Sequence, residues 1–189
     1  MYFLLLFIFA YYCTISCDDN VFSLGDEKLF DFNVQALDES ELSLSVFKDA
    51  AAILIINVAL NCDYAYSKFK ELNAFYERNK GIGVELIAFP CGQFGHELDH
   101  PEPAAAIQER YNITFPIMKQ VDVNGPNASP VYNFLKRKTS RISIAWNFNK
   151  FLVINGVPVR RFSQAIPIKE IEEIVIKYIF AEKGKKLDL

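Results

Sequence analysis

The sequence predicts an α/β fold in which helices flank a central mixed β-sheet. Residues 51–60 form a nearly continuous apolar run, which is typical of a strand buried on both faces. Apolar side chains then recur at three- and four-residue spacing over residues 65–76, and this pattern predicts an amphipathic helix. A second apolar run at residues 84–89 ends at Pro90. Strand, helix and strand in this order predict two parallel strands joined by a crossover helix.

The other elements complete one domain. Alternating apolar and polar residues at 29–34 and 41–44 predict an N-terminal β-hairpin. Two strands at 151–154 and 157–162, which flank Asn155 and Gly156, predict a second hairpin. Helices are predicted at residues 104–111, at residues 131–136 and after Pro167. The order of these elements is that of a thioredoxin-like fold, with a central mixed β-sheet flanked by helices and an N-terminal β-hairpin.

The composition of the chain is that of a single globular domain. Its 189 residues are 51% hydrophobic and 23% charged, and the net charge of −3 excludes a protein that neutralises nucleic-acid phosphates in bulk. Cys62 and Cys91 are the cysteines beyond the N-terminal segment, and they have neither CxxC nor metal-ligand spacing. With only His96 and His100 beside them, the sequence predicts no zinc site and no cofactor.

The N-terminal end carries a candidate targeting signal. Residues 1–17 contain a long apolar run and no charged side chain, and we predict that they are a cleaved signal peptide. A signal anchor is the second interpretation, and a lipidated Cys17 is the third. The predicted globular domain then spans residues 18–182.

The C-terminal tail at residues 183–189 carries a second candidate signal. It ends in Lys-Leu-Asp-Leu, which approximates a retention signal of the endoplasmic reticulum. The alternative is a C-terminal tail that carries no targeting signal. We therefore expect the protein in the lumen of the endoplasmic reticulum or outside the cell. Asn112 and Asn127 are candidate glycosylation acceptors in such a compartment.

Cys62 lies where a thiol can be reactive. It follows the first buried strand and precedes a predicted helix, whose unpaired N–H groups and dipole favour the thiolate. The thiolate is the nucleophilic form, so this position favours reactivity. A buried, inert cysteine is the alternative, and the adjacent Asp63 supports it because a neighbouring carboxylate raises a thiol pKa. Placement alone leaves both interpretations open.

Three motifs, in order along the chain, resemble those of glutathione peroxidases. Residues 57–62 (NVALNC) are similar to the segment that carries the peroxide-attacking cysteine of that family. Residues 89–95 (FPCGQFG) resemble its second motif, and residues 146–148 (WNF) followed by 150–153 (KFLV) resemble its third. Shorter family-like stretches lie between them, at residues 115–116 and 121–128. The likeness covers nearly the whole predicted mature chain.

The resemblance implies a thiol peroxidase that reduces hydrogen peroxide or organic hydroperoxides. Cys62 would attack the peroxide, and the catalytic tetrad of the family would be completed by Gln93, Trp146 and Asn147. An indole N–H and two amides can donate hydrogen bonds to the thiolate and to the departing oxygen while they stay neutral. The implied products are a sulfenic acid at Cys62 and water or an alcohol.

The residues that would reduce the sulfenic acid of Cys62 back to the thiol differ from those of most of the family. Thioredoxin-dependent relatives carry a resolving cysteine in the helix that corresponds to residues 104–111, where this chain has none. Cys91 is a candidate resolving cysteine, with a buried core thiol as the alternative. The chain resembles most the endoplasmic-reticulum members of the family, which react with protein disulfide isomerase; thioredoxin and glutathione are the other candidate reductants. The short connection between residues 136 and 146 is similar to that of monomeric relatives, which implies a monomer.

Two other functions stay as alternatives. A thiol–disulfide oxidoreductase on the same fold predicts a CxxC motif, but the residue three beyond Cys62 is Ala65. A catalytically weak redox-sensing or interaction module is the second alternative, and Asp63 is the feature that favours it.

Overall fold

A computed structural model of the protein describes residues 27–62, 64–95 and 103–187. Its strands are β1 (Asn33–Gln35), β2 (Glu41–Ser43), β3 (Ala52–Val58), β4 (Val84–Pro90), β5 (Lys150–Ile154) and β6 (Val157–Phe162). Its α-helices are α1 (Ala65–Asn79), α2 (Ala104–Tyr111), α3 (Pro130–Lys138) and α4 (Ile168–Leu187). The predicted signal peptide, Asp63, both histidines and the last two residues of the C-terminal tail lie outside the described residues.

Four strands form a central mixed sheet in the order β4-β3-β5-β6. β3 is parallel to β4 and antiparallel to β5, and β5 is antiparallel to β6. The predicted mixed sheet flanked by helices is therefore confirmed. β1 and β2 form the predicted N-terminal hairpin as a separate sheet. Its first strand is shorter than predicted, since Leu29–Asp31 form a 3-10 turn and the N–H of Leu29 bonds to the carbonyl of Gly156 at 2.8 Å.

The central sheet buries an apolar cluster on each face, and β3 contributes alternate residues to both. The first core cluster contains residues of α1, α2 and α4 together with Leu54, Ile56, Val58, Phe69, Phe148 and Leu152. The second core cluster contains residues of α3 together with Ile53, Ile55, Phe89, Cys91, Tyr132 and Phe151. Every residue of β3 is buried, which explains why its apolar run is continuous in the sequence.

The helices pack their apolar faces on the sheet. The fully or nearly buried residues of α1 include Phe69, Leu72 and Phe75. Those of α4 include Ile171, Val175 and Ile179. α4 continues to Leu187, so most of the segment 183–189, predicted as a tail, extends this helix. In the described part of the chain, no helix is both long enough and apolar enough to cross a membrane.

β6 is an outer strand of the central sheet. Pro158 lies within β6 opposite Val153 of β5, and the register of the two strands shifts between Leu152 and Val153. Two side chains of β6, Val157 and Val159, are partly exposed to solvent. The edge of the sheet at β6 is therefore irregular.

Candidate active site

Cys62 lies between the end of β3 and the start of α1, as the sequence predicts. Its carbonyl accepts a hydrogen bond of 2.8 Å from the N–H of Ala65, the first residue of α1. The hydroxyl of Tyr111 in α2 donates to the carbonyl of Leu60 at 2.5 Å and so holds the turn before Cys62. The Cys62 side chain is partly exposed and packs against the first core cluster. Cys62 is therefore partly open to solvent and lies on a well-packed support.

Gln93 follows β4, and its side-chain amide binds the backbone of a neighbouring loop. Its Oε1 accepts the N–H groups of Val123 and Asn124, both at 2.9 Å, and its Nε2 donates to the carbonyl of Asn124 at 3.0 Å. Two backbone N–H groups can face only the amide oxygen, so these bonds determine the orientation of the amide. An amide nitrogen carries two hydrogens, and one of them is used here.

Asn124 connects Gln93 to the segment that carries Trp146. The side chain of Asn124 donates to the carbonyl of Ile144 at 2.8 Å and accepts from the N–H of the same residue at 2.9 Å. Trp146 is 46% exposed, and the centroid of its ring lies 6.0 Å from that of Phe94. Hydrogen bonds and ring contacts thus join the loop after β4 to the loop before β5.

The carbonyl of Trp146 is held by two buried asparagines. Asn57 of β3 and Asn149 both donate their side-chain N–H groups to this oxygen, at 3.2 and 2.9 Å. Asn57 is fully buried and Asn149 nearly so. The backbone of the Trp146–Asn147 pair is therefore attached to the central strand of the sheet.

Asn147 is buried without a hydrogen-bond partner. The residue is 1% exposed, and neither its amide oxygen nor its amide nitrogen has a partner among the described residues. A buried polar group that lacks a partner is rare and asks for an explanation, of which a catalytic role is one. The next residue, Phe148, adopts a left-handed backbone with φ of 61° while its ring packs edge-on against Phe69. Asn147 thus offers an unused donor and an unused acceptor.

The topology brings the four predicted site residues to one end of the sheet. β3 and β4 are parallel, so Cys62 and Gln93 both follow the carboxyl ends of their strands. β5 is antiparallel to β3, so the segment before β5, with Trp146 and Asn147, lies at the same end. The thiol, the indole and the two amides therefore lie at the same end of the sheet, with the amide of Asn147 buried beneath the surface.

Sequence reasoning assigned no role to Asn57, Asn124 or Asn149. A signal for Asn57 is present, because an amide inside a continuous apolar strand needs hydrogen-bond partners when it is buried. Asn124 lies in a turn segment, where asparagine is common for local reasons, so its pattern is uninformative.

Cys91 is 2% exposed and belongs to the second core cluster, whereas Cys62 packs against the first. Its sulfur lies 4.0 Å from Oε1 of Gln93. It also lies beside Tyr132, whose pKa is raised well above the usual value, chiefly by burial and then by Cys91. No disulfide joins the two cysteines. Cys91 therefore has the environment of a core thiol, and its role as a resolving cysteine stays a prediction.

Lys150, the first residue of β5, is a nearly buried cation. It is 5% exposed, and its ammonium group donates to the carbonyl of Ile166 at 3.3 Å. Burial lowers its pKa to about 8; Lys68 acts in the same direction, and Glu71 opposes them.

A groove of about 630 Å³ lies beside the turn that precedes Cys62. Its lining residues include Leu37, Leu60, Pro90, Ala104, Ile107 and Lys119. The lining is mostly apolar, so the groove suits an apolar group better than an ion. Among the described residues, no three histidine, cysteine or acidic side chains are grouped as metal ligands.

Comparison with known proteins identifies the family. The model of the glutathione peroxidase family matches residues 29–136. A probable glutathione peroxidase 8 from Arabidopsis thaliana is 41% identical over 146 residues, which cover 72% of this chain and 84% of the relative. Other plant relatives are named as chloroplastic or mitochondrial proteins.

Solved structures agree with the sequence comparison. T. cruzi GPX1 superposes with a TM-score of 0.67 at 34% identity, over 81% of this chain and 97% of that one. A putative thioredoxin from Neisseria meningitidis gives a TM-score of 0.58 over 81% of this chain and 91% of its own, at 13% identity, and shows the fold alone. The predicted thioredoxin-like fold is confirmed, and the chain belongs to the glutathione peroxidase family of peroxidases.

Proposed function

We propose that this peroxidase reduces hydrogen peroxide or organic hydroperoxides with Cys62 as the attacking residue, supported by Gln93, Trp146 and Asn147. The observation that carries the proposal is the buried amide of Asn147, which has no partner among the described residues, at the same end of the sheet as the partly exposed thiol. Proteins tend to retain such locally unfavourable groups at functional sites. A bound peroxide or the charge of the reaction would supply the missing partner.

The reaction begins with the thiolate of Cys62. Its sulfur attacks one oxygen of the peroxide, and an S–O bond forms as the O–O bond breaks. The departing oxygen takes up a proton and leaves as water or an alcohol, so the sulfur loses two electrons and the peroxide gains two. N–H groups of Gln93, Trp146 and Asn147 stabilise the negative charge on the sulfur and on the departing oxygen. The oxidised enzyme carries a sulfenic acid at Cys62.

A thiol reductant completes the cycle. Its thiolate attacks the sulfenic sulfur, the hydroxyl group leaves as water, and a second thiol then reduces the mixed disulfide. Two features support an external thiol as the first attacker: α2 contains no cysteine, and Cys91 is buried in the second core cluster. Protein disulfide isomerase, thioredoxin and glutathione are the candidate reductants, with attack by Cys91 as the internal alternative.

We also propose a monomer that works in the secretory pathway. The secretory proposal rests on the apolar segment at residues 1–17 and on the C-terminal Lys-Leu-Asp-Leu. The names of the chloroplastic and mitochondrial relatives do not support it. The intact mass of the protein recovered from its own cells tests it, since a cleaved signal peptide leaves a chain that begins near residue 18.

Quenched-flow oxidation of Cys62 by hydrogen peroxide tests the proposed reaction. We expect the wild-type protein to react at least about 100-fold faster than free cysteine, because preorganised donors stabilise the developing charge. Gln93→Ala and Trp146→Phe should each slow the attack by about 10- to 100-fold, since each removes one donor. Cys62→Ser should abolish it.

Gln108→Ala is the matched control for Gln93→Ala, because Gln108 is an exposed glutamine on α2. Its rate should equal that of the wild-type protein. A wild-type rate no faster than that of free cysteine would refute the proposal, and thiol–disulfide exchange would then be the activity to measure. Steady-state turnover with each of the three candidate reductants identifies the one that resets Cys62.

A further inference from the structure

The loop that carries Trp146 and Asn147 joins β5 through an irregular end of the sheet. The regular pairing of β3 with β5 ends where Ile56 lies opposite Lys150. Beyond this point the N–H of Phe148 donates to the carbonyl of Asn57 at 2.6 Å. Phe148 has a left-handed backbone, which a bulky side chain rarely adopts and which persists only when its surroundings hold it. The contacts that hold this turn therefore determine where the preceding two residues lie.

Asn57 and Asn149 form an asparagine clamp on the carbonyl of Trp146. Nδ2 of Asn57 donates to this oxygen at 3.2 Å, and Nδ2 of Asn149 donates to it at 2.9 Å. Oδ1 of Asn57 accepts the backbone N–H of Asn149 at 3.0 Å. That third bond determines the orientation of the Asn57 amide, because a backbone N–H can face only the oxygen.

Asn57 belongs to the strand that leads to Cys62. It is fully buried in β3, and both ends of its amide and its backbone carbonyl are engaged by residues 146–149. One side chain thus connects the strand before the thiol to the backbone of the two proposed donors. The guanidinium group of Arg161 in β6 donates in turn to Oδ1 of Asn149, at a longer distance of 3.5 Å.

We infer that Asn57 is a positioning residue of the peroxide reaction, which holds Trp146 and Asn147 in register with Cys62 through the asparagine clamp. The inference rests on the proposed function, because it assigns Asn57 no contact with the peroxide. A misplacement of donors by about 1 Å can lower a rate by about 100-fold, so loss of the clamp should be visible in the kinetics.

Asn57→Leu removes the donor and the acceptor but keeps the number of side-chain heavy atoms. Trp146 is the only tryptophan of the chain, so its fluorescence reports on the loop directly. We expect Asn57→Leu to increase the acrylamide quenching of Trp146 and to lower the rate of Cys62 oxidation per folded molecule by about 10- to 100-fold. Asn149→Ala removes the second donor of the clamp, together with the long contact to Arg161, but keeps both bonds from the Asn57 amide; it should change both readouts in the same direction by a smaller amount.

Asn79→Leu is the matched control. Asn79 is also a nearly buried asparagine, but it lies at the far end of α1 from Cys62 and donates to the carbonyl of Phe75. Its replacement should lower the stability of the fold but leave both the quenching of Trp146 and the oxidation rate unchanged. If a general loss of packing caused the effects of Asn57→Leu, Asn79→Leu would change both readouts as well.

The outcomes separate the two claims. If wild type oxidises rapidly and both clamp variants match it in rate and quenching, the positioning inference is wrong and the proposed function stands. If Asn57→Leu does not fold, Asn149→Ala gives the same decision. A wild-type rate no faster than that of free cysteine would overturn the proposed function and, with it, the role of Asn57 in catalysis.

Discussion

At the residue scale, the side-chain amides of Asn147 and Asn79 differ in the free-energy cost of their burial. Both residues are nearly inaccessible, at 1% and 3% exposure. The amide of Asn79 donates to Phe75 and to Glu172, both at 2.7 Å, whereas that of Asn147 has no partner among the described residues. A buried polar group without a partner costs about 1–3 kcal/mol. Asn147 therefore lowers the stability of the resting protein, and Asn79 does not.

We expect Asn147→Leu to raise the free energy of unfolding by about 1 kcal/mol, because it removes an unsatisfied amide and keeps the branched shape. The same variant should lower the rate of Cys62 oxidation. Asn79→Leu should lower the free energy of unfolding by about 1–3 kcal/mol, since it removes the hydrogen bonds of a nearly buried amide to the Phe75 carbonyl and to the Glu172 carboxylate. Urea unfolding of the three proteins measures the difference. A loss of stability in Asn147→Leu as large as that in Asn79→Leu would contradict this account.

At the scale of elements, the first residue of β5 is a nearly buried lysine, Lys150, close to charged residues of α1. The ammonium group of Lys150 faces Lys68 and Glu71, and burial lowers its pKa from 10.5 to about 8. Between these two pH values the unfolded chain binds more protons at Lys150 than the folded protein does. The free energy of unfolding therefore rises with pH across this interval, and below pH 8 the folded protein carries the whole cost of a buried cation.

We expect Lys150→Met to raise the free energy of unfolding at pH 7 by about 1–2 kcal/mol and to remove this rise between pH 8 and pH 10. Urea unfolding at several pH values, in the presence of a reductant, measures both effects. Lys70→Met, which changes an exposed lysine of α1, is the control and should keep the wild-type pH dependence. An unchanged pH dependence in Lys150→Met would show that other groups cause it.

The elements that periodicity specifies could be predicted from the sequence. β3 is buried on both faces and α2 is a short helix, and the predicted segments contain or match them. The start of β5 was missed by one residue, because the charge of Lys150 interrupts the apolar pattern although the strand buries it. The contacts of Asn57 with Trp146 could not be predicted, since they join residues 89 positions apart through geometry that no local pattern records.

At the scale of the whole molecule, the two thiols pack with core clusters on opposite faces of the central sheet. Cys62 packs against the first core cluster, and Cys91 belongs to the second. A disulfide needs the two Cβ atoms to approach to about 4 Å, and the packing of the two thiols in different clusters disfavours such an approach. This arrangement therefore favours a sulfenic acid at Cys62 that persists until an external thiol reduces it.

Addition of one equivalent of hydrogen peroxide should increase the mass of the protein by one oxygen atom at Cys62. We expect no internal disulfide, and Cys91→Ala should accumulate the sulfenic acid to the same extent as wild type, because Cys91 is buried on the other face. Intact mass spectrometry with a sulfenic-acid trap measures both. A rapid loss of two hydrogens in wild type, absent in Cys91→Ala, would instead establish Cys91 as the resolving residue.

The irregular edge at β6 has a consequence for self-association. A regular outer strand presents a row of N–H and C=O groups on which another chain can pair. Pro158 lacks an N–H group, the register shift opposite it disrupts the ladder, and Arg160 adds an exposed charge. These three features hinder the addition of a fifth strand from a second molecule. At this edge of the sheet, the chain thus carries a barrier against growth into fibrous aggregates.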